Sequence, residues 1–149
     1  SRDLLRVILA LKHDVRPEAF VSLDDSPPAF LLTGNQALRR RRGLREYPNK
    51  YDLGEEWHTW TGLPFVFARW MRRNDLSEKD AALLEDTLYV GLEDGVDGLY
   101  HLSEPRENLL MLAKDILEYI QGVRYFIGFS EQKAINLFRK YLEQAGGAV

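Results

Sequence analysis

Three histidines, His13, His58 and His101, are the side chains able to titrate near neutrality or to bind a metal as imidazole. They stand far apart and none belongs to an HExxH pattern, so the spacing predicts no sequence-local zinc site. With no cysteine, a thiol nucleophile, a cysteine metal site and a disulfide framework are all excluded. There is also no GxSxG elbow and no P-loop. Gly91, Gly95 and Gly98 lie among Glu93, Asp94 and Asp97, a setting that repels phosphate. The segment lacks the ligand alternation and closing glutamate of a calcium loop, and it reads as a turn between helices. Arg39 to Arg42 with Arg45 form the one dense basic cluster, which could hold an anion or nucleic acid. Against that, the chain carries a net charge of −3 and no aromatic is interleaved with the arginines. A solvated helix end and loop is the expected role, and no nucleic-acid partner is expected. Trp57, Trp60 and Trp70 could stack on a ring-shaped ligand, but core packing is the commoner fate of tryptophans at helical spacing.

The elements that must position these groups follow from period and punctuation. The 149 residues, 45% hydrophobic and 29% charged, fit one ordinary soluble domain with a real core. No repeat is visible, and no apolar run approaches the roughly 18 to 20 residues that span a bilayer. No basic-then-apolar leader opens the chain, so the expectation is a cytoplasmic protein with no membrane partner. Leu4, Leu5, Ile8, Leu9 and Leu11 predict a largely buried helix over Asp3 to Lys12. Ala19 to Leu23 and Ala29 to Thr33, bounded by turn residues, predict strands. Asp52 and Glu55 have capping-box spacing, and Leu53, Trp57 and Trp60 follow at i, i+4, i+7 before Gly62, so a short helix is predicted there. Phe65 to Met71 is β-rich and nearly all apolar, as in a strand covered on both faces of an α/β sheet. Helices are predicted from Ser77 to about Val90, from Ser103 and Pro105 to about Ile120, and from Ser130 to about Gln144. Ala134, Ile135, Phe138, Tyr141 and Leu142 form the apolar stripe of the last. Together these predict an α/β class with one sheet.

One stretch is more specific than periodicity. Tyr51-Asp52-Leu53-Gly54-Glu55-Glu56-Trp57-His58-Thr59-Trp60-Thr61-Gly62-Leu63-Pro64-Phe65-Val66-Phe67-Ala68 resembles a signature of the chorismate dehydratases of the futalosine route to menaquinone. Upstream, Leu31 to Leu38 is similar to that family's strand followed by Gly-Asp-x-Ala-Leu. Ser1-Arg2 before Leu4-Leu5-Arg6-Val7 is similar to its Ser-Arg-Thr-Ser helix start. Tyr119 to Gly128 and the stripe ending at Leu142 resemble its C-terminal helices. The related enzyme making dihydroxynaphthoate shares Asp-Leu-Gly-x-x-Trp but tends to read Leu-Pro-Leu-Gly afterwards, and it carries a catalytic histidine where this chain has Gly34. Gly34 and Phe65-Val66-Phe67-Ala68 therefore favour the chorismate dehydratase branch. The resemblance covers nearly the whole chain but only about the second half of a typical member.

The resemblance implies a two-lobed fold like that of type II periplasmic binding proteins. This chain would supply the second lobe plus the C-terminal return segment, and a missing N-terminal lobe would be its partner. Residues 1–70 would form the α/β lobe with cleft-facing loops, and residues 71–149 the hinge return and the helices that pack on the first lobe. Ser1 and Arg2 would offer a helix start to a substrate carboxylate, Gly34 and Asn35 would end a strand at the cleft, and Pro64 and Phe65 would form the hinge-side wall. Asn35 replaces the family's usual Asp, the usual Thr-Ser after Ser1-Arg2 is missing, and the connection at Asp24 to Pro28 is shorter than in the family. The implied reaction is elimination of water from chorismate, or a similar small dicarboxylate, to give 3-[(1-carboxyvinyl)oxy]benzoate, with no metal or redox cofactor. No catalytic residue is assigned in this half. A small-anion solute-binding module and a truncated, non-catalytic homologue are the alternatives.

Overall fold

Residues 1–100 and 111–146 are described by a computed structural model of the chain. Helix α1 (Arg2–Val7) starts at Ser1, whose carbonyl accepts from the Leu5 N–H at 2.9 Å. Leu4, Val7 and Ile8 recur at i, i+3 and i+4, and all three are buried. From Ile8 to Lys12 the coil widens into a π-helical turn, with His13 N–H donating to Ile8 O at 3.3 Å and Val15 N–H to Leu9 O at 2.8 Å. The predicted helix over Asp3 to Lys12 is therefore present, its second half in the wider form.

Helix α2 is short (Gly34–Arg39) and α3 spans Leu53–Thr61. Asp52 caps α3 by accepting from the N–H groups of Gly54 at 2.8 Å and Glu55 at 3.1 Å. Gly62, at φ +70, closes α3 in the left-handed conformation that a side chain would penalise. Helix α6 (Phe129–Gln144) begins one residue before Ser130, with Glu131 accepting from the Gly128 N–H at 3.0 Å. Its Leu137, Phe138, Tyr141 and Leu142 pack with Leu53, Trp57 and Trp60 of α3 and with Leu4, Val7, Ile8 and Leu11. Trp57 is fully buried at the centre. Its ring lies edge-on to Trp60 at 6.0 Å, Phe65 at 5.5 Å, Phe138 at 5.9 Å and Tyr141 at 6.0 Å between centroids. The expected core role of Trp57 and of the α6 stripe is met here.

The predicted sheet is not. Ala19 to Leu23, Ala29 to Thr33 and Phe65 to Met71 all lack strand structure, and β pairing among the described residues is limited to isolated bridge positions, Leu44 with Tyr47 and a further one at Met111. The α/β, two-lobed periplasmic-binding-protein-like architecture is thereby corrected to a mostly helical one. A strand needs a neighbour to take its backbone N–H and C=O groups, and apolar β-formers alone do not supply one. Phe65 turns into the aromatic core, whereas Phe67, Trp70 and Met71 are exposed, so the segment does not pack as a two-sided strand. Leu23 instead enters a 3-10 turn (Leu23–Asp25) in which the Ser22 hydroxyl accepts from the Asp24 N–H and the Asp25 carboxylate accepts from the Ser22 N–H.

Two compact units result: Ser1–Phe67 with Tyr125–Val149, which holds the core above, and Ala68–Arg124. The second contains α4 (Glu78–Tyr100) and α5 (Ala113–Gln121). Ser77 caps α4 as predicted, accepting from the Asp80 N–H at 3.1 Å. The helix does not stop near Val90, and Gly91, Gly95 and Gly98 lie inside it rather than in an interhelical turn. Each costs about 1 kcal/mol relative to alanine, which weakens a helix without ending it where no proline intervenes. The predicted start at Ser103 and Pro105 lies outside the described residues. Helix α5 covers the later part of that prediction, with Asp115 accepting from the Leu112 N–H at 3.3 Å.

Candidate functional site

The Tyr51 to Ala68 stretch builds a helix with a pinned exit loop. The Trp57 indole N–H donates to the Pro64 carbonyl at 3.2 Å, so the residue that centres the core also fixes the loop. Thr61 Oγ1 donates to Trp57 O at 2.8 Å and accepts from the Leu63 N–H at 3.2 Å. His58 Nδ1 lies 3.2 Å from Leu63 O, a bond that places the proton on Nδ1. Pro64 is thus held through its carbonyl by the Trp57 indole. Phe65 is held by rings: Trp57, then Phe138 at 5.1 Å and Phe67 at 4.9 Å. Trp57 contacts both of these adjacent candidate residues.

Ser1 and Arg2 sit at the exposed start of α1. The Ser1 side chain makes no capping bond, and the Arg2 guanidinium carbon lies 4.6 Å from the centroid of the Phe20 ring. Gly34 adopts φ +56 at the start of α2, where a Cβ would meet nothing within 4 Å, so its constraint is conformational rather than one of crowding. Asn35 follows it, exposed, in the first turn of α2. No hydrogen bond, ion pair or ring contact joins Ser1 or Arg2 to Gly34 or Asn35 among the described residues. Trp70, an expected core or stacking residue, is 79% exposed.

A polar cluster that spacing did not single out lies where the π-helical turn meets α3. Lys12 Nζ donates to Glu56 Oε2 at 2.5 Å and to Glu56 O at 3.3 Å, while His13 Nε2 is 3.7 Å from the same carboxylate oxygen. The Lys12 hydrogen bond holds the Glu56 carboxyl below its ordinary value, against the opposing effect of desolvation; the charges of Lys12 and His13 act in the same direction as the hydrogen bond. Glu56 is therefore an ionised acceptor at neutral pH, unable to serve there as a proton donor. Lys12 and Glu56 are 44 positions apart, so no local pattern signals the pair.

Among the described residues, no group of three or more His, Asp or Glu side chains is placed to hold a metal ion. No helix among them is long and apolar enough to cross a membrane. No solved structure matches the chain. A family profile described as menaquinone biosynthesis matches residues 1–144, a span that takes in α1, α3 with its pinned loop, and α6. The chain belongs to the menaquinone biosynthesis family.

Proposed function

We propose that the chain serves the dehydration of chorismate to 3-[(1-carboxyvinyl)oxy]benzoate, a hydro-lyase step of menaquinone biosynthesis. The observation that carries this reading is the Tyr51 to Ala68 stretch: its residues resemble the chorismate dehydratase signature, it lies inside the family match, and it folds as α3 with Pro64 locked to Trp57. The substrate loses a ring C–H proton and a hydroxyl group as one molecule of water, and aromatisation drives the step. The protein's part is to orient two carboxylates and to provide a path for the proton. Ser1, Arg2, Gly34, Asn35, Pro64 and Phe65 are the proposed substrate contacts. Arg2 offers an exposed cation for a carboxylate. Gly34 keeps the backbone bare where substrate approaches. Asn35 removes a negative charge that would repel a dianion.

The chain resembles about the second half of a typical chorismate dehydratase, so the remaining contacts are assigned to a preceding half. Incubation with chorismate, followed by chromatography for the enolpyruvyl benzoate, tests the reading. The 149-residue chain alone is expected to bind weakly and form no product, and the complete protein is expected to turn over. In the complete protein, Gly34→Val should abolish activity, since a β-branched residue is strained at positive φ. Asn35→Asp should change activity modestly, and neutralising Arg39 to Arg42 should leave it nearly intact. Saturable chorismate binding without product by the complete protein would identify a small-anion binding module instead. An active Gly34→Val beside an inactive arginine variant would move the site elsewhere.

A further inference from the structure

The chain's charge is sharply divided. Between Asp25 and Asp52 lie six basic side chains and one carboxylate, Glu46. The other 14 basic and 22 acidic residues (20 less six, 23 less one) give the rest of the molecule a charge of −8. The basic segment is a braced turn rather than a loose run. Gly43 N–H donates to Arg40 O at 2.8 Å, and Leu44 pairs with Tyr47. Tyr47 is anchored by its hydroxyl on Pro27 O at 3.1 Å and by its ring edge-on to Phe30 at 4.5 Å. Lys50 Nζ donates to Arg41 O at 2.6 Å and the Arg41 guanidinium to Leu38 O at 3.2 Å, so these two cations serve the turn itself. Arg40, Arg42 and Arg45 are left exposed, with side chains in no ion pair or hydrogen bond among the described residues.

Helix α4 is the counterpart in charge. It carries seven carboxylates and one lysine over its 23 residues. Glu85, Asp86, Glu93 and Asp97 are exposed and share one side at spacings of three to four and seven to eight residues, over about 18 Å of helix. Glu93 also accepts from the hydroxyl of Tyr89, a half-exposed ring on the same side over which a guanidinium can stack.

We propose that the arginine turn of one copy of this chain docks on the acidic side of α4 of a second copy. Guanidinium groups bind single carboxylates bidentately, and a helix offers these at separations that three arginines on a turn can meet. The choice of a protein carboxylate surface over nucleic acid or an anionic lipid bilayer rests on the remaining charge of −8. A net charge of −8 outside the segment opposes a polyanion as a whole, whereas a second copy brings its own basic segment. Because two different surfaces meet, the contact is heterologous, and the number of copies follows from whether the rotation closes.

Sedimentation velocity on the full chain tests this. Self-association is expected at ~0.01 M ionic strength and its loss at ~1 M, as the Debye length falls from about 30 Å to about 3 Å. Replacing Arg40, Arg42 and Arg45 together by serine should weaken association about tenfold or more, in line with three exposed ion pairs. Reversing the same three to glutamate should abolish it. Mixing that variant with one carrying Glu85→Lys, Asp86→Lys and Glu93→Lys should restore a mixed assembly that neither forms alone, while circular dichroism confirms that each variant is folded. A chain monomeric at low salt overturns the proposal, as does association that neither set of changes affects. Binding of a duplex DNA oligonucleotide or of phosphatidylserine vesicles by a chain that does not self-associate also overturns it and identifies the turn's partner as that class.

Discussion

Trp57 and Trp70 show how differently the two units use the same side chain. The first is fully buried among four rings, and the second is 79% exposed. The contrast extends to the helices of each unit. Helices α1, α3 and α6 are short to moderate, and each turns an apolar face to a common core. In α4, Leu83, Leu84, Tyr89 and Val90 remain exposed, and Met111 is the buried hydrophobic of its unit among the described residues. Short helices are marginal in water and form because packing stabilises them, whereas a 23-residue helix can draw mainly on its own backbone bonds and on the leucine, alanine and glutamate it contains. The first unit is held by contacts between distant segments, and α4 draws on local order.

The largest break in that comparison comes from the two tryptophans themselves. Trp57→Ala should lose roughly 3 to 5 kcal/mol, measured by denaturant titration, because it removes the ring on which Trp60, Phe65, Phe138 and Tyr141 converge. Trp70→Ala should stay within about 0.5 kcal/mol of the parent, and equal losses would show that exposure does not separate the units. Next come two glycines with opposite signs. Gly62→Ala should cost about 1 to 2 kcal/mol, since its φ of +70 is hostile to a Cβ. Gly95→Ala should stabilise α4 by up to about 1 kcal/mol, because a Cβ there meets nothing within 4 Å. A destabilised Gly95→Ala would mean that α4 is not held by propensity.

Asp52→Ala should cost about 1 kcal/mol by removing the acceptor for two α3 amides, with faster amide exchange at Gly54 and Glu55. The smallest effect is expected from Glu56. Its folded carboxyl titrates below the ordinary glutamate value, so the stability it contributes is present above that value and fades as pH falls through the lower, folded one. Glu56→Gln should flatten this acid limb and leave stability at neutral pH little changed, because the partners are only partly buried. An acid limb identical in Glu56→Gln and parent would assign the proton uptake to another group.

Much of the helical framework was readable from residues alone. Asp52 at a cap, Gly62 at a left-handed stop, Ser77 before α4 and the Ala134 to Leu142 stripe act within a turn or two of chain, where local chemistry decides. The arginine run likewise lies where its composition placed it, at the end of α2 and in the exposed turn that follows. The candidate site was legible as a motif and as a set of residue types, and the family match covers it. Its arrangement was not: that Pro64 O would receive the Trp57 indole, or that Lys12 would reach Glu56, depends on segments meeting across the fold.

The apolar runs at Ala19 to Leu23, Ala29 to Thr33 and Phe65 to Met71 mark the limit of that reading. Their composition determined that they favour extended backbone and seek cover. Whether they become strands depends on a neighbour to complete the hydrogen-bond ladder, which sequence spacing does not specify. The sequence by itself determined the caps at Asp52 and Ser77, the stop at Gly62, the apolar stripe of α6 and the family. The tertiary structure decided that Phe65 is drawn into the rings around Trp57 while Phe67, Trp70 and Met71 stay in solvent, because burial belongs to the side chains that meet in space rather than to those that are adjacent in sequence.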